Sequence, residues 1–212
     1  RDSARALGES VDRYLYVSTI SVYADLSVAR DESGPLATLE DETTEEIGGG
    51  TYGALKALCE RRVTDTFGER AAIVRPGFVI GPYDHTGRFP WWAHRAARGG
   101  EMIVPASLAR AFQAIDARDL ADFLLLRARS PLTGVFNATG PVPAATMLDL
   151  VEAAASEGDT DLNVEVIDDG FLTAQGIENE LPLWAADPGW VAWARIDVSK
   201  AITHELARPA LE

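Results

Sequence analysis

Two short apolar segments, separated by one long helical segment, set the main constraint on the fold. The segments Tyr14-Leu15-Tyr16-Val17-Ser18 and Ala71-Ala72-Ile73-Val74-Arg75 have the length and composition of buried strands. Between them, the helical segment 51–67 has these residues near one face: Leu55, Leu58, Cys59, Arg62, Val63 and Phe67. A strand, a crossover helix and a second strand form a right-handed parallel unit. The chain is therefore predicted to be an α/β protein with a parallel sheet.

The remaining elements are predicted to continue this alternation of strands and helices. Helices are expected at residues 3–10, 90–98, 116–127 and 144–155, with a final short helix capped by Ser199, and strands at 102–104, 112–115, 134–138 and 163–167. The segment from Asp25 to Glu46 holds eight carboxylates and one arginine, and we interpret it as a solvated loop. Residues 180–194 show no clear period.

Charge and composition argue against several classes of protein. The formal net charge of −14 disfavours nucleic acid and anionic membranes as partners. No apolar run reaches the roughly 18 residues that a membrane-spanning helix needs. The single cysteine, Cys59, excludes an internal disulfide and is typical of a protein in the reducing cytoplasm. The three histidines, His85, His94 and His204, are too dispersed to predict a metal site.

Tyr52 and Lys56 give the strongest chemical signal in the sequence. The chain has 17 arginines but only two lysines, and one of these lysines follows a tyrosine by four positions. Residues i and i+4 project from the same helix face, so the phenol and the ammonium would lie together. A neighbouring cation stabilises the ionised form of a phenol, and a forked, bulkier guanidinium cannot replace a compact ammonium here. The pair therefore predicts a group that gives or takes a proton.

Hydroxyl side chains follow the first predicted strand. Ser18, Thr19 and Ser21 lie where that strand ends, and ligands of open parallel sheets bind outside the carboxyl ends of the strands. Taken alone, Ser18 and Thr19 are also typical of a turn or a helix cap. Together with Tyr52 they indicate a site in which a hydroxyl bonds a substrate oxygen while the phenol moves the proton.

Four segments, in this order, resemble the extended short-chain dehydrogenase/reductase family, which is also called the NAD-dependent epimerase/dehydratase family. They are Tyr16-Val17-Ser18-Thr19-Ile20-Ser21-Val22-Tyr23, Tyr52-Gly53-Ala54-Leu55-Lys56, Arg75-Pro76-Gly77-Phe78-Val79-Ile80-Gly81-Pro82 and Ile115-Asp116-Ala117-Arg118-Asp119-Leu120-Ala121. The resemblance implies the C-terminal part of a Rossmann-like doubly wound parallel sheet and a small mixed α/β substrate-binding subdomain. Residues 1–82 would belong to the Rossmann-like domain and 83–212 mostly to the subdomain, with 111–140 returning to the sheet.

The same resemblance implies a role for each matching residue. Thr19, Tyr52 and Lys56 would be catalytic, with Tyr52 as acid/base and Ser18 as the alternative to Thr19. The cofactor, NAD or NADP, would contact Ser18, Tyr52, Lys56, Pro76, Gly77, Phe78 and Val79. Beside the resemblance, we expect the substrate, a sugar or another hydroxyl or carbonyl compound, to contact Ser21, Arg88, Trp92 and Arg110. Packing at the protein surface is the alternative for Arg88 and Trp92. The implied reaction is hydride transfer at a carbinol or carbonyl, and relatives often pair as homodimers through the helix that bears the tyrosine.

The sequence also departs from the family pattern. It has no Gly-x-Gly-x-x-Gly turn between a strand and a helix, and the glycines at 48–50 do not follow a strand. We therefore expect these residues alone to bind NAD weakly and to expose a parallel sheet edge at the first strand. Phe112 stands where nucleotide-sugar relatives often carry an arginine, and Arg110 is two residues away. A noncatalytic relative of the same fold, or a fragment that completes another chain, are the alternatives.

Overall fold

A computed structural model describes residues 2–48, 50–140, 145–177, 180–184 and 195–206. The helices are α1 (Asp2–Leu7), α2 (Tyr52–Phe67), α3 (Arg88–Ala96), α4 (Ala117–Arg129), α5 (Met147–Glu157), α6 (Asp169–Ala174) and α7 (Ser199–Thr203). The strands are β1 (Tyr14–Val17), β2 (Ala71–Pro76), β3 (Phe78–Ile80), β4 (Gly100–Pro105), β5 (Ala111–Phe112), β6 (Ala114–Asp116), β7 (Gly134–Ala138), β8 (Ala145–Thr146) and β9 (Leu162–Ile167). The predicted α/β class is confirmed.

A parallel three-stranded sheet in the order β1-β2-β7 forms the framework of the chain. β2 lies in the middle and all six of its residues are buried, as its apolar composition predicts. β1 lies at the edge of this sheet, where the side chain of Val17 is 42% exposed. The order strand, α2, strand places the carboxyl ends of β1 and β2 on the same side, next to the beginning of α2.

The buried face of helix α2 is rotated from the predicted one: Val63 and Phe67 are buried as predicted, but the leucines are not. Its fully buried residues are Ala54, Ala57, Glu60, Val63 and Phe67, whereas Leu55 and Leu58 are only half-buried. The small Ala54 and Ala57 allow the helix backbone to approach its neighbours closely, which moves the longer leucines toward the edge of the contact. Glu60 is therefore a carboxylate on the buried face.

A second group of elements follows β3. β4 and β9 pair in parallel, and α3 and α5 cover one face of this pair around a core that contains Trp92, Met102, Val104, Met147 and Val151. Helix α3 begins at Arg88, so the predicted start at Pro90 is two residues late. β3 pairs in parallel with β6, and β5 pairs antiparallel with β8. The division of the chain into two domains stays a prediction.

The structure corrects two further expectations. The strand predicted at 112–115 is divided into β5 and β6, because Gln113 turns its buried amide to the backbone of Ile196, which it contacts at 3.0 and 3.2 Å. The Ser199 side chain makes no capping bond in α7; instead, the Asp197 carboxylate accepts from the Ser199 amide at 2.8 Å. Part of the predicted helix at 144–155 and most of the segment 180–194 lie outside the described residues.

The acidic segment from Asp25 to Glu46 contains no helix or extended strand. Asp25, Asp31 and Asp41 each accept hydrogen bonds from the hydroxyl and amide two residues later, which hold the pKa of each carboxyl below its ordinary value. Glu42 pairs with Arg61 and Arg62 of α2. No helix within the described ranges is long and apolar enough to cross a membrane.

Candidate active site

An open cleft of about 410 Å³ lies where the carboxyl ends of β1 and β2 meet the beginning of α2. Its lining comes from segments far apart in the sequence: Ser18, Thr19, Ser21, Tyr52, Pro76, Gly77, Phe78, Val79 and Arg88. The structure thus brings these nine residues together, and the role of each stays a prediction.

 Each residue of this lining is one that the sequence predicts for the site, whereas the predicted residues Lys56, Trp92 and Arg110 are not part of the lining.

A short 3-10 turn, Ile20–Val22, holds the hydroxyl groups at the end of β1. Thr19 caps this turn: its Oγ1 accepts from the Ser21 amide at 3.2 Å and donates to the Ser21 Oγ at 3.1 Å. Ile20 and Val22 point into the core and are 1% and 0% exposed, so they anchor the turn. The cap that the sequence offers as the alternative for Thr19 is therefore present, and the capping hydroxyl also lines the cleft.

Tyr52 reaches the cleft because α2 begins very close to this turn. A Cβ atom at Gly53 would lie 2.0 Å from the Ser21 carbonyl oxygen, well inside any normal contact. Only glycine therefore allows the first turn of α2 to lie against the backbone of Ser21. The phenol of Tyr52, which precedes Gly53, is 45% exposed and remains accessible to a ligand.

The ammonium of Lys56 lies against the end of β1. Its Nζ donates to the Val17 carbonyl at 2.7 Å and lies 4.4 Å from the centre of the Tyr16 ring. Desolvation by burial lowers the pKa of Lys56, although the neighbouring Cys59 and Glu60 act in the opposite direction. Lys56 thus shares the helix face of Tyr52, as its spacing predicts, and in this structure it is bonded to β1.

The segment between β2 and β3 forms an apolar wall of the cleft. Pro76, Gly77, Phe78 and Val79 all line it, and the ring of Phe78 stacks on Phe112 with the ring centres 5.5 Å apart. Phe112, which is 7% exposed, therefore supports this wall from the core.

Two buried hydroxyl groups lie at the carboxyl edge of the sheet without a hydrogen-bond partner among the described residues. They belong to Ser18, which lines the cleft, and to Thr139, which directly follows β7. Gly77 lies over Thr139, where a Cβ atom would be 2.3 Å from the threonine Oγ1. Thr139 is not among the residues predicted for the site, although, like Ser18, it is a hydroxyl residue at the end of a predicted strand.

Of the residues predicted to bind substrate, Ser21 and Arg88 line the cleft. The Arg88 Nε donates to the Thr86 Oγ1 at 3.0 Å. The prediction for Trp92 needs correction, because its indole is fully buried in the core of the second group of elements and donates to the Pro182 carbonyl at 2.7 Å. Arg110 is exposed and lies outside the lining. The described residues contain no cluster of His, Cys, Asp or Glu that could hold a metal ion.

The parallel sheet, the crossover helix and the cleft at the carboxyl ends of the strands define a Rossmann-like α/β protein. A model of the NAD dependent epimerase/dehydratase family matches residues 2–138, and the chain belongs to this family. No curated protein sequence matches the chain.

Solved structures with the same fold include UDP-glucuronic acid 4-epimerase from Bacillus cereus in complex with NAD, at 17% identity and a TM-score of 0.61, covering 94% of this chain and 57% of that one. Thermus thermophilus UDP-glucose 4-epimerase in complex with NAD has 18% identity and a TM-score of 0.62, with 97% and 62% covered. Bacillus anthracis dTDP-4-dehydrorhamnose reductase in complex with NADP has 16% identity and a TM-score of 0.57, with 96% and 71% covered. The chain therefore spans less than two thirds of the length of the two epimerases.

Proposed function

We propose that this chain carries the catalytic centre of an NAD(P)-dependent oxidoreductase or epimerase/dehydratase that transfers hydride at a carbinol or carbonyl. The observation that carries the proposal is the composition of the cleft. It combines a hydroxyl (Thr19), a phenol (Tyr52) and an apolar wall (Pro76–Val79) from three separate segments. Membership in the epimerase/dehydratase family supports the same reaction class.

In this proposal Tyr52 gives a proton to, or takes one from, the oxygen of the substrate. Thr19 bonds the same oxygen, and its position is fixed by the capping bond to the Ser21 amide. A group placed in this way typically contributes 10²- to 10⁴-fold to the rate by acid–base catalysis. The close contact at Gly53 holds the phenol and the hydroxyl in a constant relation, because it joins their two segments.

The residues of the cleft fit a nicotinamide cofactor, which supplies or accepts the hydride when bound. The apolar wall suits a flat ring, and the buried Ser18 hydroxyl, which has no partner among the described residues, can bond a polar group on the ligand. Lys56 has three hydrogens on its ammonium. The bond to Val17 uses one of them, and in this proposal another bonds a ribose hydroxyl of the cofactor. The neighbours crystallised with NAD or with NADP leave both cofactors as candidates.

A sugar or another compound with hydroxyl or carbonyl groups is the proposed substrate. Ser21 offers a hydroxyl, and Arg88 is the charged side chain among the described residues that line the cleft. A guanidinium there favours a substrate with a negatively charged group. Two of the neighbours are named as epimerases of UDP-sugars, so nucleotide sugars are the first compounds to test. Cytoplasmic location and pairing of two copies through α2 stay predictions.

The test is a comparison of Tyr52→Phe with the unchanged full-length protein. We expect NADH or NADPH to bind both proteins with similar affinity in a fluorescence titration. Turnover of a responsive sugar, found by screening UDP- and dTDP-sugars, is expected to fall at least 100-fold in Tyr52→Phe. Tyr83→Phe is the matched control, because Tyr83 is 99% exposed and lies outside the cleft lining.

Two results would contradict the proposal in different ways. Unchanged turnover in Tyr52→Phe would remove the acid/base role from this residue. Binding of neither NADH nor NADPH by the full-length protein would favour a noncatalytic relative of the same fold.

A further inference from the structure

A buried group of charged and polar side chains joins the elements that form the cleft. Glu60 lies on α2, eight residues after Tyr52 and four after Lys56, and Arg75 directly precedes Pro76 of the apolar wall. The two side chains form a forked ion pair, with Nε to Oε1 at 2.9 Å and Nη2 to Oε2 at 2.6 Å. Both residues are 3% exposed.

The remaining donor of the Arg75 guanidinium reaches the segment that carries Thr19. Its Nη1 donates to the Tyr23 hydroxyl at 3.0 Å and to the Glu32 carbonyl at 3.2 Å. The Tyr23 hydroxyl in turn donates to the Asn137 Oδ1 at 2.7 Å. Tyr23 ends the 3-10 turn that follows Thr19, and Asn137 lies in β7, two residues before Thr139.

One guanidinium therefore connects the chain segments that form the cleft. Its Glu60 side holds α2, which bears Tyr52; its Tyr23 side holds the turn that bears Thr19; and its own backbone continues into Pro76 and Gly77. Burial alone would lower the pKa of the Arg75 guanidinium. The hydrogen bonds and charge of Glu60 outweigh this effect, so the pKa is raised. A planar fork with donors on several edges can make these contacts together, whereas an ammonium cannot.

The effect of a buried ion pair on the position of side chains can be tested apart from its effect on stability. Removal of one partner leaves an uncompensated buried charge and is strongly destabilising, while replacement of both partners by apolar side chains of similar volume is often neutral. A buried ion pair retained in a fold is therefore weak evidence for stability. Stability therefore does not account for this ion pair. What the pair does in the structure is to fix α2, β2 and the turn relative to one another.

We propose that Arg75, through its pair with Glu60 and its bond to Tyr23, is the positioning residue that aligns Tyr52 and Thr19 with the apolar wall of the cleft. This inference rests on the proposed function, since it assigns the alignment of that same site. Arg75 does not itself line the cleft, so it acts through the residues that do.

The experiment uses the double variant Glu60→Met/Arg75→Met in the full-length protein. We expect cooperative thermal unfolding to be kept, NADH affinity to change less than about threefold, and kcat on the responsive sugar to fall roughly 10- to 100-fold with little change in KM, as displacements near 1 Å do. The ¹³C chemical shifts of labelled Tyr52 are expected to move. Arg61→Met, which removes an exposed partner of Glu42 on the same helix, is the matched control and should leave each of these readouts unchanged.

A stable double variant with wild-type kcat and unchanged Tyr52 shifts would overturn the proposal. If the double variant does not fold, Tyr23→Phe is the test, because it removes one hydroxyl and leaves the ion pair intact. A several-fold loss in kcat together with a shift of the Tyr52 signals would support the positioning role. No change in either would refute it. Tyr52→Phe, measured in parallel, separates the two proposals. If Tyr52→Phe keeps full turnover, the proposed function is refuted. If Tyr52→Phe loses turnover but the double variant is fully active, only the role of Arg75 is refuted.

Discussion

Substitution of Gly53 by alanine gives the sharpest test of how α2 is placed. In an ordinary helix position this change stabilises by about 1 kcal/mol, because alanine has the higher helix propensity. At Gly53 the added Cβ would lie 2.0 Å from the Ser21 carbonyl oxygen, so the helix and the turn must separate by more than an ångström. Forced displacements of this kind typically cost about 1 to 3 kcal/mol. We expect a net loss of up to about 2 kcal/mol from the sum of the two effects.

The measurement is urea unfolding of Gly53→Ala beside Gly50→Ala. Gly50 lies three residues earlier, and a Cβ atom there has no neighbour within 4 Å, so the same chemical change meets open space. Turnover of Gly53→Ala is expected to fall by up to about 100-fold, since a 1 Å displacement separates Tyr52 from Thr19. If Gly53→Ala is as stable as Gly50→Ala and fully active, the close approach does not position Tyr52, and this account of the site is refuted.

Two further predictions concern the core and alkaline pH. Trp92→Ala should cost about 3 to 5 kcal/mol of unfolding free energy, measured by circular dichroism in urea, because the indole is fully buried; Trp91→Ala, at a residue that is 40% exposed, is the control, and equal losses would contradict the core role. Burial raises the pKa of Tyr16 and of Tyr23 above the ordinary value of about 10. Their contribution to stability is therefore complete below pH ~10 and is lost as the pH rises toward the folded values. Tyr16→Phe and Tyr23→Phe should each flatten the alkaline decline in the thermal midpoint, and an unchanged decline in both would contradict this assignment.

The hydroxyl and phenol residues of the cleft could be predicted from their positions in the sequence, whereas the residues of the apolar wall were predicted from the family resemblance. Ser18, Thr19 and Ser21 come directly after a recognisable strand, and Tyr52 begins the clearest helix of the chain. Parallel strands place such positions at one edge of a sheet. No such rule applied to Trp92, because an aromatic residue in a helix after the sheet can face either a cleft or a core, and the neighbouring sequence does not distinguish them. In the structure, Trp92 lies in the core.

Side-chain contacts between distant segments cannot be predicted from local sequence patterns. Gln113 interrupts a predicted strand because its amide contacts Ile196, a residue far along the chain. Local propensity contains no information about such a partner. The close approaches at Gly53 and Gly77 depend in the same way on Ser21 and Thr139, which are remote in sequence.

The buried ion pair is a different case, since the sequence contained a signal for it that was misinterpreted. The leucines of α2 suggested a buried face that is rotated from the observed one, and the observed face contains Glu60. A carboxylate between Ala57 and Val63 on a buried face requires a cation that is also buried. Arg75, the charged residue at the end of an otherwise apolar and fully buried strand, meets the same requirement from the other side. Each of these charges is improbable in the core by itself and can be buried there only with the other as its partner. The helix and the strand that bear them must therefore be in contact. That contact joins the helix that begins at Tyr52 to the strand that ends at Pro76. Two charges that are each 3% exposed are therefore placed where they can set the geometry of the cleft, as we propose for Arg75.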